Sequence, residues 1–182
     1  MKVTTPGSPA AVTLREPLIG IRAVDAHDAD ALRAFYASLS ADTRRKRFLG
    51  TSSGIAAERS RAFCTPDHHH AEGFVAVLRA VGPRDGRVVG HLCLENDGAG
   101  GIELAIAVAD GFQRHGIGRR LFEAARDWAC AEGIARITAT AFADNSPVLR
   151  LLTSAPMGAT IRAADGGLVD IEIPLIEERV ED

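Results

Sequence analysis

An apolar segment, a glycine-rich turn and an amphipathic segment follow one another in the middle of the chain. Residues 102–109 are almost all aliphatic, which predicts a buried strand. From Ile117 onward, Leu121 and Trp128 recur at helical spacing, which predicts a helix. The intervening residues 113–118 hold two glycines, so the backbone can turn tightly and bring its N–H groups close to a ligand. Because a helix start adds unpaired N–H groups and a positive dipole end, the segment predicts an anion-binding turn.

The glycine spacing of this turn distinguishes between phosphate-binding motifs. A dinucleotide-binding Gly-x-Gly-x-x-Gly fingerprint would need glycine at position 121, where this chain has leucine. A nucleoside-triphosphate loop would need Gly-Lys-Ser/Thr, which does not occur near the turn. The pattern that fits is Gln/Arg-x-x-Gly-x-Gly after an apolar strand that carries an acidic residue, Glu103. The turn residues in that pattern are Gln113, Arg114, His115, Gly116, Ile117 and Gly118.

This arrangement resembles the acetyl-CoA-binding motif of the GCN5-related N-acetyltransferases (GNAT). The resemblance implies acetyl-CoA as the cofactor and a direct transfer of its acetyl group to an amine. No acyl-enzyme is implied, because no cysteine lies near the motif strand. We expect residues 113–118 to hold the cofactor, with Arg114 and Arg119 adding positive charge at the helix start.

Length and composition bound the class of protein. A chain of 182 residues is long enough for one domain with a substantial core and too short for two ordinary domains. A hydrophobic fraction of 46% and a charged fraction of 25% are typical of a soluble globular protein. A net charge of −3 gives no overall reason to expect nucleic-acid binding, and no apolar run is long enough to cross a membrane. Three widely spaced cysteines without a signal peptide favour a reducing cytoplasm.

Hydrophobic periodicity and turn residues predict one strand, two or three helices, three strands, a helix, a strand, a helix and two terminal strands. Because strands and helices are interleaved, the predicted class is α/β, or α+β, with a mixed sheet. The GNAT fold has this order, and the resemblance extends from about residue 18 to residue 175. We expect a single domain over residues 17–176, between a loose leader at 1–16 and a charged tail at 177–182. The predicted strands span 18–24, 73–80, 87–96, 102–109, 134–142, 157–164 and 168–175.

Two segments of the N-terminal half, residues 21–32 and 39–48, resemble the bacterial protein-lysine acetyltransferases. The resemblance suggests a protein lysine as the acceptor, while a small amine, an amino acid or an antibiotic stays open. Acceptor pockets in this fold are built by the variable first helices and last strands, so the motif does not choose among them. Homodimers are common among similar proteins, which leaves a homodimer as an option.

Val108 is the candidate donor to the oxyanion that forms during acetyl transfer. The resemblance implies that the strand separates from its neighbour beside Val108, which frees backbone groups for the pantetheine arm of the cofactor. A β-bulge at this point would supply unpaired N–H groups. A positioned donor of this kind is worth about 10²–10³ in rate. The alternative is that Val108 is an ordinary hydrogen-bonded residue of a central strand.

Glu103 is the candidate general base, because a lysine-like amine has a pKa of about 10.4 and must lose a proton before it attacks. Glu103 interrupts an otherwise aliphatic strand, where burial would make its carboxylate a stronger base. It alternates with Ala105 and Ala107, whose small side chains leave room for a substrate on the same face. The alternative is an exposed carboxylate at the start of the strand.

Asn145 precedes a predicted helix, at a position where many relatives have an asparagine near the pantetheine. It could equally be a plain helix cap. Many relatives also carry a tyrosine seven residues later, which acts as an acid toward the departing thiolate, but this chain has Leu152 there. The general acid is therefore unassigned, with Ser146, Ser154 and water as candidates.

Two further polar stretches carry weaker hypotheses. His68, His69 and His70 are adjacent and lack the spaced partners that would complete a zinc site, so no metal site is predicted. The basic run at 44–47 is typical of a solvated helix face, although it could contact the 3′-phosphate of CoA or an acidic partner.

Two alternative functions accompany the main hypothesis. A sensor or pseudoenzyme would bind acyl-CoA without efficient chemistry, and the missing tyrosine favours it. A dinucleotide-binding oxidoreductase would bind NADH, and the glycine spacing disfavours it.

Overall fold

The computed structural model describes residues 19–50, 57–78 and 86–175. These residues contain seven strands and five α-helices. Their order along the chain confirms the predicted order. The strands are β1 (Ile19–Ala23), β2 (Ala71–Leu78), β3 (Arg87–Asn96), β4 (Ile102–Val108), β5 (Arg136–Phe142), β6 (Thr160–Ala163) and β7 (Leu168–Pro174). The helices are α1 (Ala29–Ser38), α2 (Ala41–Phe48), α3 (Ala57–Phe63), α4 (Ile117–Ala131) and α5 (Ser146–Thr153).

All seven strands form one mixed sheet, in the order β1-β2-β3-β4-β5-β7-β6. Every neighbouring pair is antiparallel except β4 and β5, which are parallel. The parallel pair is short, because only Ile102 with Ile137 and Glu103 with Thr138 are in register. Beyond these first residues the two strands separate, which opens a gap in the middle of the sheet.

One face of the sheet packs against α4 and α5. α4 begins after Gly116 and buries a single stripe, because its apolar residues recur every three or four positions. Leu121 and Ala125 are fully buried in that stripe, and Leu152 of α5 is fully buried in the same core. Gly90 on β3 permits the close approach of α4, since a Cβ there would stand 3.0 Å from Leu121 Cδ1. The helix after the glycine-rich turn is thus fixed against the centre of the sheet.

The opposite face of β1–β4 packs against α1 and α3. Leu32, Phe35 and Phe63 lie in this second core. Tyr36 is also buried here, and its hydroxyl lies 2.7 Å from Nδ1 of His91 on β3. Burial, with Arg47 nearby, holds the pKa of His91 well below its usual value, so the imidazole is neutral at physiological pH.

On the other half of this face, β5, β7 and β6 present polar side chains. The strand registers align Glu103, Thr138, Glu172 and Thr160 in one row across β4, β5, β7 and β6. None of these four side chains is buried. The gap between β4 and β5 therefore has an apolar, helix-covered side and a polar side.

Several predicted boundaries shift, and part of the predictions lies outside the described residues. β2 begins two residues before the predicted strand, and β6 begins at Thr160 rather than 157. The late start of β6 follows from a turn in which Gly158 has a φ of 79° and donates to the Ala155 carbonyl. The predicted leader, the tail and residues 79–80 lie outside the described residues. Within the described ranges, no helix is both long and apolar enough to cross a membrane.

Leu121→Ala tests the core that positions α4. Its side chain is fully buried, so the change should remove contacts and leave a cavity, lowering the free energy of unfolding by about 2–5 kcal/mol in urea titrations. Ile161→Ala removes an apolar side chain that is 44% exposed on β6, and it should change that free energy by less than about 0.5 kcal/mol. Equal effects of the two changes would contradict this placement of the core.

Candidate active site

The glycine-rich turn, residues 113–118, follows β4 after a short 3₁₀ turn (Asp110–Phe112) and includes the first two residues of α4. Residues 113–116 are exposed, and the backbone is left-handed at Arg114 (φ 64°) and Gly116 (φ 76°). Gly116 is the N-cap of α4 and, as glycine, offers no side chain to bond the free N–H groups of the first helical turn. These donors and the positive end of the α4 dipole therefore face outward, ready for an anion.

Gly118, in the first turn of α4, keeps a small space free beside the gap. A Cβ at this position would lie 3.6 Å from Leu151 Cδ2 and 3.9 Å from side-chain atoms of Ile106 and Val108. These are ordinary contacts, so the fold itself does not require glycine here. A side chain would instead fill space between α4, α5 and the end of β4. The free donors and this space fit the phosphates and the pantetheine arm of the predicted cofactor.

Val108 presents its backbone polar groups to the gap. The Ala109 N–H donates to the Val89 carbonyl of β3 at 2.8 Å. Because successive N–H groups of a strand point to opposite edges, the Val108 N–H points away from β3 and toward β5. The β4–β5 pairing has ended by this point, so this N–H has no partner in the ladder among the described residues. The strand does separate beside Val108, as the family resemblance implied.

The bulge suggested at Val108 is wrong. β4 pairs with β3 without interruption, from Ile102 opposite Asn96 to Val108 opposite Gly90. The irregularity lies in β3, where Val89 is an extra residue opposite β2. The Val108 N–H is left without a ladder partner among the described strands because β5 diverges, and β4 itself stays regular.

Asp110, which the sequence analysis missed, joins the turn after β4 to the start of α2. Its carboxylate accepts hydrogen bonds from the Ser40 N–H at 2.9 Å, the Ser40 hydroxyl at 2.7 Å and the Thr43 hydroxyl at 2.7 Å. Burial acts to raise the pKa of Asp110, but these hydrogen bonds outweigh it and the pKa lies below its usual value. An acidic residue after an apolar strand is common, so the sequence carried no specific signal for this contact.

Gln113 extends the same connection. Its side-chain amide donates to the Val108 carbonyl at 3.1 Å and to the Thr43 hydroxyl at 3.3 Å. His115 folds back, with Nδ1 2.7 Å from the Gln113 carbonyl oxygen. Gln113 therefore hydrogen-bonds the turn both to the end of β4 and to α2.

The side chains of the two arginines at the helix start differ in their hydrogen bonding. The Arg114 side chain is exposed in the turn. Arg119 is also exposed, but its Nε donates to Glu123 at 2.8 Å, one helical turn further on. The backbone of Arg119 belongs to the first turn of α4, whereas its side chain is held along the helix surface.

Glu103 lies at the start of β4 and its side chain is exposed, so the predicted burial is wrong. The reason is that its face of the sheet is covered by helices over β1–β4 but is polar and open from β5 onward. Directly opposite Glu103 on β3 stands Glu95, also exposed. The sequence analysis missed Glu95, because only the strand register brings these two carboxylates together.

Two depressions meet at Glu103. One, of about 300 Å³, lies between the end of α2, α3 and the gap, and its lining includes Arg47, Arg59, Ala105 and Thr140. The other, of about 320 Å³, lies over β5, β7 and β6, and its lining includes Thr138, Arg162, Asp170 and Glu172. Both open on the polar side of the gap, opposite the start of α4. An acceptor and the predicted cofactor can thus reach the gap from opposite sides.

Asn145 is buried at the start of α5. Asn145 is the N-cap residue of α5, and its carbonyl accepts from the Leu149 N–H at 3.1 Å, but its side chain makes no capping hydrogen bond. Leu152, at the usual tyrosine position, is fully buried in the core beneath α4 and α5. Ser146 is exposed, and the Ser154 hydroxyl donates to the Leu151 carbonyl at 2.7 Å.

The basic run on α2 is not a uniform solvated face. Lys46 pairs with Asp42 at 2.6 Å, and the Arg45 guanidinium lies 3.9 Å from the centre of the Phe142 ring. Arg47 turns inward, over the rings of the second core. The three adjacent histidines contact separate carboxylates, those of Glu72, Glu132 and Asp67.

Comparison with known families assigns the chain to a class. The sequence model of the acetyltransferase (GNAT) family matches residues 29–155, which is more than half of the chain. The chain therefore belongs to the GNAT acetyltransferase family, whose cofactor is acetyl-CoA. No curated protein matches the chain by sequence.

Solved structures share the fold. The GNAT domain of PAT from S. lividans aligns with a TM-score of 0.74 at 22% identity, over 85% of this chain and 89% of that one. YncA from Salmonella typhimurium, solved with its cofactor acetyl-CoA, aligns with a TM-score of 0.67 at 19% identity, over 91% of this chain and 98% of that one. The ribosomal-protein-S18-alanine N-acetyltransferase from Escherichia coli aligns with a TM-score of 0.63 at 17% identity, over 91% of this chain and 100% of that one. These similarities confirm the predicted fold.

Gly118→Ala separates cofactor binding from folding. The new Cβ makes only ordinary contacts, so the melting temperature should stay near that of the wild type. It fills space beside Val108, so the affinity for acetyl-CoA in calorimetric titration should fall about tenfold or more. Gly116→Ala is the matched control for backbone strain. Its Cβ meets nothing within 4 Å, but its φ of 76° costs an alanine about 1–3 kcal/mol, so this change should lower the melting temperature. Unchanged acetyl-CoA affinity in Gly118→Ala would contradict this placement of the cofactor.

Asp110→Asn tests the connection between the turn and α2. The folded-state pKa is lowered, so the carboxylate stabilises the fold above its unfolded pKa of about 3.9 and loses this effect as the pH falls through the folded pKa. The loss of unfolding free energy in the variant should therefore be largest near neutral pH and shrink below about pH 4 in denaturant titrations. Asp144→Asn, an exposed carboxylate in the β5–α5 turn, should show little loss at either pH. A loss that is independent of pH would show that the Asp110 charge does not matter.

Proposed function

We propose that this protein is an N-acetyltransferase that moves the acetyl group of acetyl-CoA directly to an amine. The observation that carries the proposal is the gap at Val108, with free helix N–H groups on one side and Glu103 on the other. Family membership supports the class of reaction, and the local geometry supports the roles of the residues.

The cofactor would be held by the turn and by the edge of β4. The backbone of residues 113–118, with that of Arg119, would donate to the phosphates. The free backbone groups at the end of β4 and the buried Asn145 amide would face the pantetheine arm. Acetyl-CoA supplies an acetyl thioester, whose carbonyl carbon accepts the amine.

Val108 and Glu103 would then carry the chemistry from the protein side. Glu103, directly or through a water molecule, takes the proton that the amine loses, and its exposure lets the proton pass to solvent. The Val108 N–H donates to the carbonyl oxygen as negative charge develops on it. The amine nitrogen bonds to the acetyl carbon, the carbon–sulfur bond breaks, and sulfur leaves with the electron pair as CoA thiolate. The products are an amide and CoA.

No side chain on the described surface is assigned as the acid toward that thiolate. The buried Leu152 has no acidic group, and Ser154 is engaged with a backbone carbonyl. Water is the proposed proton source, since a thiolate is a tolerable leaving group. The same absence favours a second candidate function, an acyl-CoA-binding sensor without efficient turnover.

The class of acceptor, the cellular location and the oligomeric state are also proposals. The open polar face would admit either a protein lysine or a small-molecule amine. We propose that the protein acts in the cytoplasm, without nucleic acid or a membrane, and a homodimer is consistent with similar proteins.

Glu103→Gln tests the proposed base. Removal of the carboxylate should lower kcat by about 100-fold or more with any amine that the wild type acetylates, because the glutamine cannot take the proton. The dissociation constant for acetyl-CoA should not change. CoA release, followed by thiol detection, gives kcat, and calorimetry gives the binding constant. Glu95→Gln, the cross-strand neighbour, is the matched control and should retain most of the activity; normal turnover in Glu103→Gln would remove Glu103 from the mechanism.

A further inference from the structure

The depression between α2, α3 and the gap contains two arginines with no ion pair. Arg47 donates to Cys93 Sγ at 3.1 Å, and sulfur is a weak acceptor. Its Nε is buried and has no hydrogen bond within the described part of the chain. Arg59 lies 5.6 Å from the Phe63 ring and makes no salt bridge with a described residue.

Five of the other described arginines pair with carboxylates. Arg22 with Asp28 and Arg136 with Asp97 are two examples, at 2.6 Å and 3.1 Å. Others, such as Arg114 and Arg150, make no salt bridge with a described residue but lie exposed on the surface. Glu95 influences Arg47 electrostatically, but no ion pair joins them. The α2–α3 connection, residues 51–56, contains no acidic residue that could neutralise the pair. The Arg47 guanidinium is partly out of water and contacts aromatic rings but no described carboxylate, so an anion that reached it and the nearby exposed Arg59 would be stabilised.

The opposite end of the same depression is anionic. Glu103 lies at its edge, and Ala105 and Thr140 face each other across the gap beyond the last β4–β5 pair. An ammonium group is attracted to Glu103, whereas a carboxylate is repelled by it. A carboxylate fits the planar, forked guanidinium of arginine, which can donate two parallel hydrogen bonds.

The second depression at Glu103, over β5, β7 and β6, differs from the first in the charges that line it. Asp170 accepts a hydrogen bond from the Thr140 hydroxyl at 2.9 Å, and Arg162 lies opposite it in the strand register. The lining of this depression holds three carboxylates, those of Glu103, Asp170 and Glu172, against the single arginine, so an anion would be repelled there. Of these two depressions, the one lined by Arg47 and Arg59 is the one that could receive an anion, at the end away from Glu103.

We infer that the acceptor is a small amine that carries a carboxylate, of the free amino-acid type, with the carboxylate on Arg47 and Arg59 and the amine at Glu103. This inference rests on the proposed function and names its acceptor class. A depression of about 300 Å³ is at the small end of ligand pockets, which suits a single amino acid. A lysine within a polypeptide has no carboxylate on its side chain to satisfy the two arginines.

The test compares free L-amino acids with their matched carboxamides, which keep the amine and lose the negative charge. The wild type, saturated with acetyl-CoA, should acetylate at least one free amino acid with a kcat/KM about 10- to 100-fold above that of its carboxamide. Spermidine and a lysine-containing peptide complete the panel. Equal use of acid and carboxamide, a preference for spermidine or the peptide, or no reaction with any free amino acid would overturn the inference.

Variants of the arginines separate this inference from the proposed function. Arg59→Gln, on the exposed surface of α3, should raise the KM for the preferred amino acid about tenfold or more and remove its advantage over the carboxamide. Arg47→Lys should show the same trend, because it keeps the charge but loses the forked donors. Arg44→Gln, on the same helix but outside the depression, is the matched control and should keep the preference.

Melting temperature and calorimetric acetyl-CoA titration accompany each variant. Retained acetyl-CoA binding together with a lost amino-acid preference supports the inference. An unchanged preference in Arg59→Gln and Arg47→Lys overturns it while leaving the acetyltransferase proposal intact. Failure of the wild type to bind acetyl-CoA would instead contradict the proposed function itself.

Discussion

The divergence of β4 from β5 is the constraint on which the site depends. Two parallel strands that paired along their full length would use the backbone groups of Val108 in the ladder. Here only the first two residue pairs are formed, while β4 keeps a complete antiparallel partner in β3 and β5 keeps one in β7. The strands can separate because each is still held on its other edge. The gap then leaves the Val108 N–H without a partner in the interior of the described sheet, where a ligand could accept from it.

The two sides of that gap are joined by a small polar network. Asp110 and Gln113, both in the turn after β4, contact Ser40 and Thr43 at the start of α2. α2 also carries Arg47 into the depression on the acceptor side. The segment proposed to bind the cofactor is therefore attached to the helix that lines the proposed acceptor depression.

The features that could be predicted are those set by neighbouring residues. The cofactor turn needs glycines, a preceding apolar strand and a following helix, and all of them lie within one contiguous stretch. The order of the elements follows from local periodicity for the same reason. Burial of Glu103 could not be predicted, because it depends on whether helices cover that part of the sheet. The pairing of Glu103 with Glu95, and of Asp110 with a residue 70 positions away, depends on register and on chain crossings that periodicity does not encode.

The sequence by itself determined the GNAT-type motif, the class of the fold and the identity of the residues at the turn, because these depend on spacing along the chain. Only the tertiary structure decided which backbone groups are free, which face of the sheet is open and which arginines lack a partner. Those properties are set by the divergence of β5 from β4, by the described helices, which cover the Glu103 face of the sheet only over β1–β4, and by the inward turn of Arg47. Each of them arises from contacts between segments far apart in sequence, where the balance of pairing and burial is settled only once the whole sheet has formed.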